Sequence, residues 1–285
     1  MAYKRILTIQ DISCVGQCST TVALPILSVM GHETCILPTA ILSTHTGGFG
    51  KPAVIHLTQA IEPICRHWQE NSIGFDAILV GYLGSVPAVE AVKTILDRLL
   101  VPGGLAIVDP AMADHGRLYS GLDQDYALSV GELCQRADII LPNLTEAAML
   151  TGERYTEALN PSDVSPLLSC LGTCVMTGVG YTPQQTGFAA SALDGQRVFL
   201  HDRFPQSYHG TGDMFAAVFT GALMQLYDGR GKPTLEQLYT AGKLAADFVS
   251  KAIDQTRQAP AHWYGVKFET VLPELAAAIQ KIRNT

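Results

Sequence analysis

The sequence predicts a three-layer αβα domain: a mostly parallel central sheet, covered on both faces by helices and closed by an antiparallel edge hairpin. Short, continuous apolar runs recur and stop at glycine or polar residues, as strands buried on both faces do. Segments with helical spacing separate them, and that alternation implies parallel pairing. Hydrophobic residues make up 47% of the 285 residues and charged residues 16%, enough apolar material for a core on each side of a sheet.

In chain order, the runs at 6–9, 77–81, 105–109, 139–141 and 174–177 read as strands. Between the second and third, Val89, Val92, Ile95, Leu96, Leu99 and Leu100 fall on one stripe of a helix over 86–100. The alternation breaks at 187–200, where Asp194-Gly195 is the two-residue turn of a β-hairpin. Helices over 213–227, 234–254 and 273–283 complete the chain. No repeat or low-complexity linker interrupts it, so residues 1–285 are expected to form one domain.

Charge and cysteine usage exclude several function classes. The net charge is −7 and no run of Lys or Arg occurs, so the footprint required by nucleic acid or an anionic membrane surface is missing. No apolar stretch is long enough to span a bilayer, and the opening MAYKRILTIQ does not read as a signal peptide. Seven scattered cysteines, two pairs of them spaced CxxxC, match neither a disulfide framework nor a zinc knuckle. Reduced thiols and a cytoplasmic location are the expectation.

Open α/β sheets bind ligands beyond the carboxyl ends of their strands. The residues that end these strands are Gln10-Asp11, Gly81-Tyr82, Asp109-Pro110, Pro142-Asn143 with Glu146, and Thr177-Gly178. Acids and amides gathered at one rim suit a magnesium nucleotide better than an apolar ligand. Gly210-Thr211-Gly212-Asp213 then opens an apolar helix in which Phe215, Val218, Phe219, Ala222 and Leu226 trace the buried stripe. The two glycines allow a tight approach, and the first-turn N–H groups of the helix face an anion. Taken alone, Asp213 reads equally well as an N-cap. Asp109 and Asn143 have plain turn readings, and Thr145 is able to cap a short helix beginning at Glu146. No buried strand precedes the Gly-Thr-Gly-Asp segment and no Walker A pattern occurs, which sets aside the dinucleotide and P-loop motifs.

The strand-end motifs run in a familiar order: Ser43-Thr-His-Thr46, Gly81-Tyr-Leu-Gly-Ser85, Asp109-Pro-x-Met-x-Asp114, Pro142-Asn-x-x-Glu146 and Gly210-Thr-Gly-Asp213-x-Phe-Ala-Ala217. In these the chain resembles the ribokinase superfamily, and within it the pyridoxal kinase branch, over nearly its whole length. The resemblance implies ATP-dependent phosphorylation of the 5′-hydroxymethyl group of a vitamin B6 vitamer. It makes Asp213 the catalytic base and the backbone of Gly210, Thr211 and Gly212 the anion hole. It places Asp109, Asn143, Glu146, Thr177 and Gly178 at ATP, with Asn143, Glu146 and Asp109 around Mg²⁺. Asp11, His45, Thr46 and Tyr82 fall to the vitamer. Residues 114–126 align with the flap that closes over the reaction in this family. A homodimer and a monovalent cation such as K⁺ are common in the family, though no residue here signals the cation. Hydroxymethylpyrimidine kinase is the nearest enzymatic alternative, and a non-catalytic nucleotide or vitamer binder the alternative of another class.

The chain departs from the family at the vitamer end. Gln10-Asp11 stands where Gln-Ser is usual, Leu42 where many relatives carry an aromatic, and the His45 motif lacks its preceding Asn. A carboxylate at position 11 is able to accept from a protonated ring nitrogen or to pair with the amine of pyridoxamine. A local turn role before Ser13 is the plainer reading.

Overall fold

The computed structural model describes residues 3–157, 159–259 and 261–283. The strands are β1 (Arg5–Ser13), β2 (Glu33–Leu42), β3 (Val54–His56), β4 (Phe75–Val80), β5 (Leu100–Val108), β6 (Ala113–Asp114), β7 (Arg117–Leu118), β8 (Ile139–Ile140), β9 (Cys174–Thr177), β10 (Gln185–Ala192) and β11 (Gly195–Asp202). The helices are α1 (Thr20–Val29), α2 (Thr58–Glu70), α3 (Val86–Leu99), α4 (Gln124–Cys134), α5 (Leu144–Thr151), α6 (Pro161–Leu171), α7 (Thr211–Leu226), α8 (Leu235–Thr256) and α9 (Leu272–Arg283).

Nine strands form one sheet in the order β11-β10-β9-β8-β5-β4-β1-β2-β3. The six central strands, from β9 to β2, run parallel. The β10–β11 hairpin, turning at Asp194-Gly195, closes one edge antiparallel as expected. The other edge is antiparallel as well, through β3, which the sequence did not announce.

Period-two alternation divides the core between the faces. Ile6, Ala77, Leu79, Leu105 and Ile107 pack with residues of α1, α7, α8 and α9. Leu7, Ile78, Val80, Ala106 and Val108 pack with residues of α2 to α6 on the opposite face. Adjacent residues of one strand thus serve opposite layers, which is why these runs are apolar throughout rather than alternating.

Three expected boundaries move. Leu100 belongs to β5 rather than to the helix before it, because α3 passes directly into the strand. The helix expected at Asp213 begins two residues earlier, at Thr211. The helix expected at Glu146 begins at Leu144, and Asn143 rather than Thr145 is its cap, accepting from the Thr145 and Glu146 N–H groups at 2.8 and 3.0 Å. The elements that no named run or stripe covers include α1, α2, α4, α6 and, within the parallel sheet, β2. Pro38 interrupts its apolar run, and proline demotes a strand reading although it sits at a register break in the pairing with β1.

Candidate active site

The parallel strands point their carboxyl ends toward one rim, where Asp11, Tyr82, Asp109, Asn143 and Thr177 are placed by β1, β4, β5, β8 and β9. The N-terminus of α7 joins them. Its cap is Gly210, in the left-handed region at φ 79°, and no side chain accepts from the first turn. A Cβ at 210 would lie 1.9 Å from the Gln17 carbonyl oxygen, so only glycine fits this turn. The helices α5 and α8, by contrast, carry complete capping boxes at Asn143 and Thr234. The start of α7 therefore leaves the N–H groups of Thr211, Gly212 and Asp213 without a side-chain acceptor among the described residues, and the helix dipole adds partial positive charge there.

Asp213 occupies the third position of α7 and is not its cap. Burial pushes its carboxyl up to about 7, against a hydrogen bond with the Ser19 backbone that favours the ionised form, and Asp11 pushes it further up. A carboxylate adjusted to neutral pH beside open amides meets the requirement for a general base at phosphoryl transfer.

Glu146 is buried and accepts from three backbone N–H groups: Met112 at 2.9 Å and Ala113 at 3.4 Å on Oε1, and Asn143 at 2.9 Å on Oε2. Burial still raises its carboxyl to about 7. Asn143 is equally committed, with Nδ2 donating to the Ala113 carbonyl at 2.7 Å while Oδ1 caps α5. These two residues tie the end of β8 to the segment after β5. Asp109 follows β5, accepts from the Ala111 N–H at 3.1 Å, and is held well above the usual carboxylate range by burial, then Glu146, then Asp213. Thr177, at the end of β9, bridges to Asn143, and Gly178 follows at φ 77°.

The segment expected to act as a flap opens with a hairpin and runs on into α4. β6 and β7 pair across His115 (φ 48°) and Gly116 (φ 75°), and the Gly116 N–H donates to Thr145 Oγ1 at 3.0 Å. Tyr119, just beyond β7, lies within electrostatic reach of Glu146, Asp109, Asp114 and Asp213, after burial the main causes of its raised hydroxyl pKa. Sequence reasoning missed Tyr119; its only signal was membership of the flap segment.

At the opposite end, the ring of His45 is fully engaged. The Gly47 N–H donates to Nδ1 at 3.0 Å, so Nε2 carries the hydrogen and donates to the Tyr264 carbonyl at 2.6 Å. Its ring packs with Phe49 and His209, both at 5.0 Å between centroids, and Phe49 meets Trp263 at 4.8 Å. His45 thus pins the segment after β2 to the approach to α9, while Thr46 beside it is exposed. Tyr82 is half-buried, and Asp11 contributes to the raised pKa of its hydroxyl after burial. His262 meets Gln17 Oε1 at 3.0 Å, and it is the Gln17 carbonyl that faces Gly210. Residues 262–264 carried no signal in sequence because their partners lie more than 200 residues away.

A family model described as phosphomethylpyrimidine kinase matches residues 27–266. The chain belongs to this family. Within the ribokinase-like superfamily it falls in the pyridoxal kinase branch. Pyridoxal kinase from Lactobacillus plantarum is 35% identical, covers 98% of this chain and 99% of its own, and superposes with a TM-score of 0.83. A Bacteroides thetaiotaomicron protein assigned to the phosphomethylpyrimidine kinases, crystallised with pyridoxal, is 32% identical over 96% of both chains, with a TM-score of 0.86. Pyridoxal kinase of Arabidopsis thaliana is 25% identical over 76% of this chain and 73% of its own. The pyridoxal kinase relatives mark the chain as a kinase that phosphorylates a hydroxyl group, and an uncapped helix start with a carboxyl at its third residue fits that chemistry.

Proposed function

We propose that this chain is an ATP-dependent kinase that phosphorylates the 5′-hydroxymethyl group of a vitamin B6 vitamer, in salvage of the vitamin. The observation that carries the reading is the start of α7, where open amides and a carboxyl poised near neutral pH occupy one turn. Asp213 orients the vitamer hydroxyl and takes its proton as the oxygen attacks the γ-phosphorus of ATP, while the bond from that phosphorus to the bridging oxygen breaks and ADP leaves with the electron pair. The Thr211, Gly212 and Asp213 amides receive the charge of the transferring group, with Gly210 setting the turn. The other strand ends, Thr177 and Gly178 among them, hold the triphosphate.

The donor set fits a divalent cation held largely through water. Glu146 and Asp213 raise the pKa of Asp109, Asp114 raises that of Glu146 and Asp11 that of Asp213, and no lysine or arginine is among the leading influences on any of them. Positive charge would relieve that repulsion. The Glu146 and Asn143 oxygens already accept backbone N–H groups, so direct ligation would break the α5 cap, whereas Oδ2 of Asp109 stays available. Bound Mg²⁺ would neutralise phosphate charge during transfer. His45 shapes the vitamer end through the backbone, leaving Asp11, Thr46 and Tyr82 for direct contact.

The edge strand β3 exposes Val54 and Ile55, which supports a homodimer. Among the described residues no helix is long and apolar enough to cross a membrane, and we place the enzyme in the cytoplasm. The family description, phosphomethylpyrimidine kinase, names a substituted pyrimidine and so lends weight to one second reading, hydroxymethylpyrimidine as the acceptor alcohol. ATP consumption measured with pyridoxal, pyridoxamine, pyridoxine and hydroxymethylpyrimidine, with and without K⁺, tests these readings. Turnover only on the pyrimidine selects the second, and turnover on none of the four overturns both.

A further inference from the structure

Asp11 is 2% exposed, a strand carboxylate in a place where the fold has broken its own regularity. The pairing of β1 with β2 jumps from Gln10–Pro38 to Ile12–Ile41, so Thr39 and Ala40 together oppose Asp11 alone. Bulges of this kind re-aim side chains and cluster beside active sites. The partners of Asp11 are hydroxyls: Ser13 Oγ donates to Oδ2 at 3.0 Å, and Ser19 also bonds the side chain. Ser19 is itself held at φ 55°, a strained conformation for a residue with a Cβ. From there its side chain serves Asp11 while its backbone serves Asp213. One residue thus joins two acids, and no lysine or arginine is among the leading influences on either of them. Both nitrogens of His45 are engaged by backbone, so its neutral ring brings no positive charge to a carboxylate at position 11.

We propose that Asp11 is the specificity-determining residue of this kinase, pairing with the 4′-ammonium of pyridoxamine and favouring that vitamer over pyridoxal and pyridoxine. The inference rests on the B6 reading above. If the reacting 5′-hydroxymethyl lies at Asp213, the ring substituent next to it is the one at C4, where the vitamers differ. The acid joined to Asp213 through Ser19 is placed to meet that neighbour. Of the three C4 groups only the aminomethyl carries positive charge, and a charge-assisted hydrogen bond is about twice as strong as a neutral one.

The test is kcat/KM for all three vitamers in the wild type, Asp11→Asn and Asp11→Ser, with pyridoxamine affinity measured by calorimetry without nucleotide. The wild type should favour pyridoxamine. Its kcat/KM ratio over pyridoxine should fall about ten- to hundredfold in the variants, with a parallel loss of pyridoxamine affinity. The serine variant keeps a hydroxyl partner for Ser13 and Ser19, and serves if the asparagine variant fails to fold. A ratio that stays within about twofold of wild type overturns the proposal. So does an equal fall on all three vitamers, the mark of a contact to the shared ring nitrogen. Failure of the wild type to phosphorylate any vitamer is a different result, and removes the B6 reading together with this one.

Discussion

Replacing Asp213 by Asn should make this protein more stable and much less active, with a stability gain that depends on pH. The unfolded carboxyl releases its proton near the ordinary 3.8 and the folded one near 7. Between those values the native state keeps the proton longer, unfolding releases it, and stability falls as pH rises until it levels off above about 7. At about 1.36 kcal/mol per tenfold change, that interval amounts to roughly 4 kcal/mol, and about half survives once solvent access and the lost Ser19 hydrogen bond are allowed for. Asn never ionises, so Asp213→Asn should exceed the wild-type melting temperature by about 4–8 °C at pH 8 and converge with it toward pH 4. Paired melting curves across pH 4–8 read this directly. With Asp213 as the base, wild-type kcat/KM should climb through about pH 7, and the variant should lose turnover by about a thousandfold while still binding nucleotide. A destabilised variant at pH 8, or a gain of equal size at pH 4 and pH 8, would refute the link between Asp213 ionisation and stability.

The remaining predictions concern the scaffold of the same turn and its lid. Gly210→Ala meets the Gln17 carbonyl and a disfavoured φ, and should abolish turnover and cost at least about 2 kcal/mol by thermal denaturation. Glu146→Ala leaves the Met112, Ala113 and Asn143 N–H groups without their acceptor and should cost about 3 kcal/mol. Asp109→Asn relieves charge repulsion and should cost far less stability, while raising the Mg²⁺ concentration needed for half-maximal rate. Thr145→Val removes the acceptor of the Gly116 N–H, so vitamer-independent ATP hydrolysis should rise several-fold, scored by phosphate release.

The sequence by itself determined the layered fold, because strands buried on both faces must be apolar throughout, and the runs at β1, β4, β5, β8 and β9 were. It determined the β10–β11 turn through Asp194-Gly195, and marked the neighbourhood of the α7 start through Gly210, which no residue with a Cβ replaces there. Local chemistry suffices for such features, since a turn or a helix start is decided by a few adjacent residues. Tertiary structure decided what lies between distant positions. It withheld Asp213 from capping, committed Asn143 and Glu146 to backbone N–H groups, and turned the ring of His45 toward Tyr264. It also set Asp11 opposite a bulge and joined it through Ser19 to Asp213. Desolvation and Coulomb forces depend on what surrounds a group in space, so the pKa values that separate a base from a cap arise only when the chain has folded.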